Sequence, residues 1–307
     1  MAIESASARL RAEARFQEAY ARFLTDTQFR ELVLKPSASG ESVADLSGAD
    51  INRLRAMDQD RIELFAQCLF GNRMAAIKEA FPLSFKVMGD AVPALVRMLD
   101  ARDIAIDTRK YAEAVRFADF VLHGDIAGPL TLSDSVLGLL RYELIMLNLR
   151  VRPQSPTWPQ SAVHSAEVLR RALERQNDAG IALNLNHAVL RVGFDVEVLR
   201  DLAPDTVSFA EAEADTIIML HRDENCVVHQ KRLNYASAAA ILMIDEARTF
   251  RALVDGYAAW LGRGSGVDLE EELKELCINL CACGALCFMP VAADAGEDAR
   301  WPAGDGP

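Results

Sequence analysis

The sequence predicts a mainly α-helical protein with a small α+β domain at its C-terminal end. Helical spacing of apolar residues recurs through residues 1–150. Two extended runs flank a polar turn within residues 216–233, and three amphipathic stretches follow them. Short strands followed by three helices are typical of a winged-helix-like domain. We therefore expect an N-terminal helical domain followed by a winged-helix-like domain.

The chain divides at a proline-rich segment. We predict a helical domain over residues 1–150 and a stiff linker over residues 151–162, which contain three prolines. The C-terminal domain is then expected to cover residues 163–290. Residues 291–307 are rich in Gly, Ala and acidic residues, and this composition predicts a disordered tail.

Composition and charge restrict the possible classes of function. The chain has 307 residues, of which 51% are hydrophobic, as in ordinary globular proteins. Its formal net charge is −12, whereas nucleic-acid binding needs clustered Lys and Arg, so we expect no nucleic-acid partner. The apolar runs are short and the N-terminus lacks an apolar signal core. We therefore expect no membrane association and a cytoplasmic location.

The first helices are predicted from apolar spacing and capping residues. Residues 8–24 place apolar side chains on one helical face. Thr25–Gln28 resembles a capping box that would begin a second helix, and Ser47 is the expected N-cap of a third. Gly71 lies within a longer helical pattern, which indicates a bend or a close approach of another backbone. Pro82 is expected to end that helix.

Three extended runs predict the strands of the C-terminal sheet. Val189–Asp195 alternates well enough to form a strand. Ile217–Leu220 is apolar throughout and begins with β-branched residues, so we expect a buried strand. Asp223–Asn225 suit a turn, because short polar side chains can bond to nearby backbone groups. Val227–Arg232 is then expected to form the second strand of a hairpin and to offer a sheet edge.

Three capped amphipathic stretches predict the C-terminal helices. Asn234 and Thr249 are the expected N-caps of the first two helices, and Asp268 is the expected N-cap of the third. Leucines at helical spacing give the third helix an apolar stripe. This helix is expected to end in the Gly-Ala-Leu run at residues 284–286.

Two clusters could suggest metal ligands, but both patterns argue against a site. Four cysteines lie close together in the sequence: Cys277, Cys281, Cys283 and Cys287. On one helix the first two and the last two face nearly opposite sides, so we expect small apolar packing. Cys226 and His229 face opposite sides of a strand, so they are not expected to form a site with His221. Nucleophile and nucleotide-binding motifs are absent from the sequence, and neither a catalytic residue nor a metal site is predicted.

Residues 61–83, RIELFAQCLFGNRMAAIKEAFPL, resemble the N-terminal helical domain of partner subunits of multinuclear non-heme iron oxidases. The shared features are the Arg-Ile-Glu-Leu-Phe start, Gly71–Arg73 and Phe81–Leu83, and the resemblance extends over residues 50–150. It implies a heterodimer in which the oxidase holds the iron and this chain holds no cofactor. The residues expected to contact the oxidase are Arg61, Phe65, Phe70, Asn72 and Arg73.

Three C-terminal stretches, NYASAAAIL, RTFRALVDGYA and LEEELKELCINLCACGALCF, resemble the peptide-binding domain called a RiPP recognition element. The resemblance implies that the leader of a precursor peptide adds as a strand to the sheet edge beside the third helix. The expected peptide-binding residues are Val227, Val228, His229, Gln230, Lys231, Leu269, Leu273 and Leu276. Glu270–Glu272 and Glu275 would favour a leader that contains Lys or Arg.

Together the two resemblances imply a non-catalytic subunit that binds a precursor peptide and presents its Cys to an iron oxidase. The 3-thiaglutamate type, in which the β-carbon of a peptide Cys is excised, is the first interpretation. The methanobactin type, which converts Cys to oxazolone and thioamide, is the alternative. A winged-helix DNA-binding regulator is disfavoured by the acidic residues 268–275. A free-standing enzyme is disfavoured because the sequence offers no catalytic motif.

Overall fold

The structure is a computed structural model that divides into two compact units. It describes all residues except 1, 36–45, 103–109, 125–129, 131, 153–164, 176–178, 202–211, 245–248, 263, 265 and 290–307. The first unit comprises Met1–Leu144 and Val196–Ala212, and the second comprises Ile145–Asp195 and Glu213–Pro307. Most of the predicted linker and all of the predicted tail fall outside the described residues.

The first unit is built from helices. In chain order they are α1 (Ala2–Thr25), α2 (Thr27–Leu34), α3 (Gly48–Arg55), α4 (Gln59–Ala80), α5 (Pro82–Met88), α6 (Ala91–Arg102), α7 (Lys110–His123) and α8 (Asp134–Val151). The boundary between the two units falls within α8. Phe16, Phe23, Phe29 and Leu54 form part of a buried apolar cluster around α1, α2 and α3. The prediction of a helical N-terminal part is confirmed.

Local sequence explains several helix boundaries in this unit. Ser47 caps α3 as predicted, but α2 is capped by Asp26, whose Oδ1 accepts the Phe29 N–H at 3.0 Å, and not by Thr25. Pro82 ends α4 and begins α5. The close approach of another backbone expected at Gly71 is wrong, because a side chain added there would meet no atom within 4 Å, and α4 continues through this position.

A buried carboxylate completes the start of α5. The N–H groups of Leu83 and Ser84 donate to the two carboxylate oxygens of Glu143 at 2.9 and 2.8 Å. Burial raises the pKa of Glu143, and the hydrogen bonds from Ser84 and Leu83 oppose that effect. Glu143 on α8 therefore satisfies the helix-end donors that α5 cannot satisfy internally.

The second unit combines helices with two small antiparallel sheets. Its elements are α9 (Ala166–Glu174), β1 (Gly180–Leu183), β2 (His187–Phe194), β3 (Glu213–Arg222), β4 (Val228–Leu233), α11 (Tyr235–Ile244), α12 (Phe250–Trp260), α13 (Val267–Ala282) and β5 (Leu286–Met289). Helix α10 (Val196–Asp201) lies between β2 and β3 in the chain and belongs to the first unit. The strand order is β2-β3-β4 in one sheet and β1-β5 in the other. The predicted small sheet region is confirmed.

The C-terminal helices begin largely where capping residues predict. Asn234 accepts the Ser237 N–H at 2.7 Å and Thr249 accepts the Ala252 N–H at 3.2 Å. The prediction for Asp268 is wrong, since the N-cap of α13 is Gly266, which provides no side-chain bond. Asp268 instead lies in the first turn, where its charge complements the helix dipole.

The end of α13 differs from the prediction. The helix stops at Ala282, and Gly284 has a φ of +74°, a conformation that glycine adopts without steric cost and that ends helices. The chain then forms β5, whose Leu286 and Met289 pair with Leu183 and Gly180 of β1. The Gly-Ala-Leu run therefore turns the chain out of the helix.

One apolar core holds the second unit together. It includes Ile217 and Met219 from β3, Ile241 from α11, Leu253 from α12 and Leu273 from α13, all buried. The main neighbours of α13 are α9 and β5, while β4 lies against α11. Within the described residues, none of the helices is both long enough and apolar enough to cross a bilayer.

We expect Gly180→Ala to destabilise the second unit, because β1 and β5 approach each other closely at this position. An added Cβ would lie 2.6 Å from the Met289 carbonyl oxygen, which belongs to backbone and cannot rotate away. The expected loss is about 1–3 kcal/mol of unfolding free energy, measured by chemical denaturation followed by circular dichroism. Gly193→Ala on β2 is the matched control, since it meets nothing within 4 Å and is expected to be neutral or stabilising. Equal effects of the two substitutions would contradict the close approach.

Candidate functional site

Strand β4 forms an edge of the three-stranded sheet, and within the described residues its strand partner is β3 alone. The N–H of Asp223 donates to the Val227 carbonyl at 2.9 Å, and His221 pairs with His229 in the same register. Hydrogen-bonding direction alternates along an antiparallel strand. The N–H and C=O groups of Val228 and Arg232 therefore point away from β3, toward the position of an added strand.

The opposite edge of the same sheet is β2. The N–H of Arg222 donates to the Asn186 carbonyl at 2.9 Å, and His187 pairs with His221. By the same alternation, the N–H of Val189 points away from β3 on this second edge. The sheet therefore has two edges, and each directs a valine N–H away from β3: Val228 on β4 and Val189 on β2.

The β3–β4 turn is held by one carboxylate. Cys226 has a φ of +62°, the left-handed position of a three-residue hairpin loop. The Asp223 carboxylate accepts the N–H groups of Asn225 and Val227 at 2.9 and 2.8 Å, and contacts His229 Nε2 at 2.8 Å. Burial raises the pKa of Asp223, but the hydrogen bonds from His229, Val227 and Asn225 outweigh it and leave the pKa below its usual value. The turn fixes the hairpin end of β4.

The two faces of β4 differ in their surroundings. Lys231 pairs with Met219, and Leu233 with Ile217, so both share the face that packs on the apolar core. Val228 and Arg232 belong to the other face, and Arg232 reaches Asp195 at 3.1 Å. Beside the hairpin, Val227 is 50% exposed. Of the five predicted peptide-binding residues of this region, four (Val228–Lys231) lie on the edge strand β4, and Val227 precedes it in the hairpin connection.

The three leucines predicted to line the peptide site lie on a different element. Leu273 is 2% exposed within the apolar core, and Leu269 and Leu276 are half-buried against it. The main neighbours of their helix, α13, are α9 and β5. These leucines have a clear role in folding, and their contact with a peptide stays a prediction.

Three histidines form a row across the sheet that the sequence analysis missed. His187, His221 and His229 occupy paired positions on β2, β3 and β4, and the rings of His221 and His229 stack at 5.2 Å. Burial lowers the pKa of His221, whose Nε2 lies 2.8 Å from the Cys283 carbonyl oxygen. The sequence signal for this row was that His221 and His229 are separated from the β3–β4 turn by the same number of residues. Over the described residues, no group of three or more His, Cys, Asp or Glu is placed to hold a metal ion.

A second cluster lies at the other end of the sheet. The Arg191 guanidinium binds both carboxylate oxygens of Asp215 at 2.8 and 2.9 Å, and the Tyr235 hydroxyl donates to the same carboxylate. Hydrogen bonds from Arg191 and Tyr235 lower the pKa of Asp215 to about 2. This cluster connects β2, β3 and the start of α11 on an exposed surface.

The residues predicted to contact an oxidase lie along α4, in the first unit. Arg61 and Asn72 are exposed, and Phe65 is 52% exposed. Phe70 is half-buried, with the Arg97 guanidinium 5.4 Å from the centre of its ring. These four side chains lie at the surface or near it, and their contact with a partner stays a prediction.

The fifth residue of that set, Arg73, is 7% exposed. Its guanidinium forms ion pairs with Asp100 and with Glu113, the latter at 2.7 Å, and Glu113 also binds Arg116 at 3.1 Å. Arg73 therefore joins α4 to α6 and α7 inside the first unit. A cleft of about 760 Å³ lies beside this ion-pair cluster, and its lining includes Arg30, Glu63, Gln67, Asn72 and Arg97.

The cysteines of α13 and β5 pack in the apolar core. Cys277, Cys281 and Cys287 are buried, and burial raises their pKa values to about 12, 11 and 12. Because Cys287 lies on β5, the helical-face argument does not apply to it. Neutral, buried thiols behave as small apolar side chains.

We expect these buried thiols to react slowly with Ellman's reagent, because the thiolate is the reactive form and it is disfavoured here. Cys68 and Cys226 are exposed and are expected to be labelled first at pH 8. Labelling followed by peptide mass spectrometry identifies the sites, and Cys68→Ser is the control for assignment. Rapid labelling of Cys277 in the folded protein would contradict its buried position.

Arg191→Gln is expected to raise the pKa of Asp215 from about 2 toward the ordinary 3.8. A lowered carboxyl pKa stabilises the fold above the unfolded-state pKa, and this contribution is lost as pH falls from about 4 to about 2. The substitution should therefore flatten the loss of stability in that window. Carboxyl-carbon NMR measures the titration, and Arg171→Gln, which breaks the ion pair with Glu167 on α9, is the matched control. A wild-type Asp215 pKa near 3.8 would contradict the cluster.

Searches for similarity found no family model that matches the sequence and no curated protein that matches it. The geometry offers a fixed sheet edge at β4 and a partly exposed helix face on α4.

Proposed function

We propose that this chain is the non-catalytic, peptide-binding subunit of a two-subunit peptide-modifying iron oxidase. Its second unit binds the leader of a precursor peptide, and its first unit binds the oxidase. The observation that supports this proposal best is the β4 edge, where Val228 and Arg232 direct backbone groups outward. Iron and the oxidative chemistry belong to the partner.

The order of elements in the second unit supports the proposal of a peptide-recognition element. Three antiparallel strands, β2, β3 and β4, are followed by α11, α12 and α13. We infer that this arrangement is winged-helix-like, with β4 as the peptide-binding edge. The resemblance of the α11–α13 sequence to a RiPP recognition element supports the same interpretation.

Strand addition needs more than backbone bonds. Each added backbone hydrogen bond contributes about 1 kcal/mol net, while ordering each residue of a flexible peptide costs about 1–2 kcal/mol. Affinity therefore depends on side-chain anchors and on an edge that is already ordered. The turn held by Asp223 keeps the edge ordered, and the exposed Val227 beside it is available as an apolar anchor.

The first unit offers a surface for the oxidase. On α4, Leu64 and Phe65 are both large, apolar and more than half exposed. They lie within the stretch that resembles oxidase partner subunits. Apolar side chains of this size on an exposed helix face favour a protein contact.

These two surfaces give the two units different roles, with the peptide bound at β4 and the oxidase bound at α4. The leader, held at β4, raises the local concentration of the peptide's Cys at the oxidase. In the 3-thiaglutamate type of system, the Cys loses its β-carbon. The same role of this chain would serve conversion of Cys to oxazolone and thioamide, because the partner and the precursor decide the chemistry.

We expect Val228→Pro to reduce peptide modification at least about tenfold, because it removes an outward donor and disturbs the edge. The assay is co-expression with a candidate oxidase and precursor peptide from the same genome neighbourhood, followed by mass spectrometry of the peptide. Val189→Pro is the matched control: it removes an outward donor from the β2 edge and should leave modification unchanged.

Two outcomes would contradict this proposal. If the oxidase modifies the peptide equally well without this chain, the accessory role is wrong. If Val189→Pro abolishes modification while Val228→Pro does not, peptide binding at the β4 edge is wrong. Circular dichroism of both variants shows whether each keeps the wild-type fold.

A further inference from the structure

The β4 edge is basic in a chain that is acidic as a whole. Val228–Leu233 contains His229, Lys231 and Arg232 and has neither Asp nor Glu, while the chain has a formal net charge of −12. An edge strand that contains Lys resists pairing with unsuitable strands. The same charges select a partner whose charges match them.

The three basic side chains differ in whether they already have an acidic partner. Arg232 binds Asp195 at 3.1 Å and His229 contacts Asp223 at 2.8 Å. Lys231 is half-buried and forms no ion pair with any residue in the described part of the chain. A carboxylate of a bound peptide would therefore form its most favourable ion pair with Lys231.

Strand addition places such a carboxylate within reach. Side chains of an added strand continue the alternation of β4, so every second peptide residue shares the face of His229 and Lys231. Directly opposed residues have Cβ atoms about 4.5–5.5 Å apart, close enough for an ion pair with a Lys ammonium. A Lys or Arg at that peptide position would be repelled.

The acidic residues of α13 lie on a different element from the β4 edge. Lys274 lies within their own helix and binds Glu270 at 3.3 Å and Glu271 at 2.8 Å. The main neighbours of α13 are α9 and β5, whereas β4 lies against α11. Exposed charges more than about 8 Å apart are largely screened at physiological salt. The charged side chains of β4 are therefore the ones that directly oppose an added strand.

We infer that the peptide segment captured at β4 is acidic, with an Asp or Glu side chain on the face of Lys231. This inference rests on the proposed function, and it reverses the expectation that the leader contains Lys or Arg. The occupant is an extended acidic peptide, and its carboxylate pairs with the ammonium of Lys231 while its backbone bonds to the outward groups of Val228 and Arg232.

The test is selection from a displayed library of random twelve-residue peptides on the purified full chain. Wild-type protein should enrich peptides with Asp or Glu at alternate positions. Lys231→Glu should shift the selected peptides toward Lys and Arg, and Lys231→Gln should remove the preference. Lys274→Glu, on α13, is the matched control and should select the same acidic peptides as wild type. One selected acidic peptide, titrated by fluorescence anisotropy, should bind Lys231→Glu roughly fivefold more weakly.

The outcomes separate this inference from the proposal on which it rests. If peptides are enriched on wild type relative to Val228→Pro but show no excess of acidic residues, the charge inference is wrong and strand capture stands. An acidic excess that persists in Lys231→Glu would also overturn it. If wild type and Val228→Pro enrich the same peptides, capture at this edge is wrong, and the charge inference is wrong with it. Circular dichroism confirms that each variant is folded.

Discussion

The register of the β3–β4 hairpin is the constraint on which the proposed site depends. Asp223 holds the turn through two backbone N–H groups, and Cys226 adopts the left-handed conformation that the loop requires. A shift of one residue would exchange the inward and outward backbone groups along β4 and reverse the faces of its side chains. The orientation of Val228, the location of Lys231 and the row of histidines all follow from this register.

Buried polar residues fix the positions of other elements within each unit. Arg222, at the end of β3, donates to the carbonyls of Leu149 and Arg152 at 3.0 and 2.8 Å and so satisfies the C-terminal end of α8. Glu143 satisfies the start of α5, and Arg73 joins three helices through two carboxylates. Removing one partner from such a group leaves a buried charge or dipole unsatisfied, which costs more than the contact itself contributes. These residues therefore fix the relative positions of the elements that they join.

Element type could be predicted from the sequence where one strong local signal dominated. The apolar run at Ile217–Leu220, the cap at Thr249 and the break at Pro82 all occur as predicted. Predictions failed where two local signals competed. Asp26 took the capping role instead of Thr25, and Gly266 took it instead of Asp268, because adjacent residues offer similar side chains or backbone freedom. Strands β1 and β5 were not predicted, because each is only four residues long. Each forms by pairing with the other, which is distant in sequence.

The sequence by itself determined a helical N-terminal part, a hairpin at its polar turn, three C-terminal helices of which the first two begin at their predicted caps, and the acidic balance of the chain. These features depend on neighbouring residues, whose side chains and backbone interact whatever the rest of the chain does. Only the tertiary structure decided that β1 pairs with β5, that Arg73 is buried, and that α13 packs on α9 and β5. Those facts depend on which distant segments meet, and the pairing of distant segments is set by the packing of the whole core and not by any local pattern.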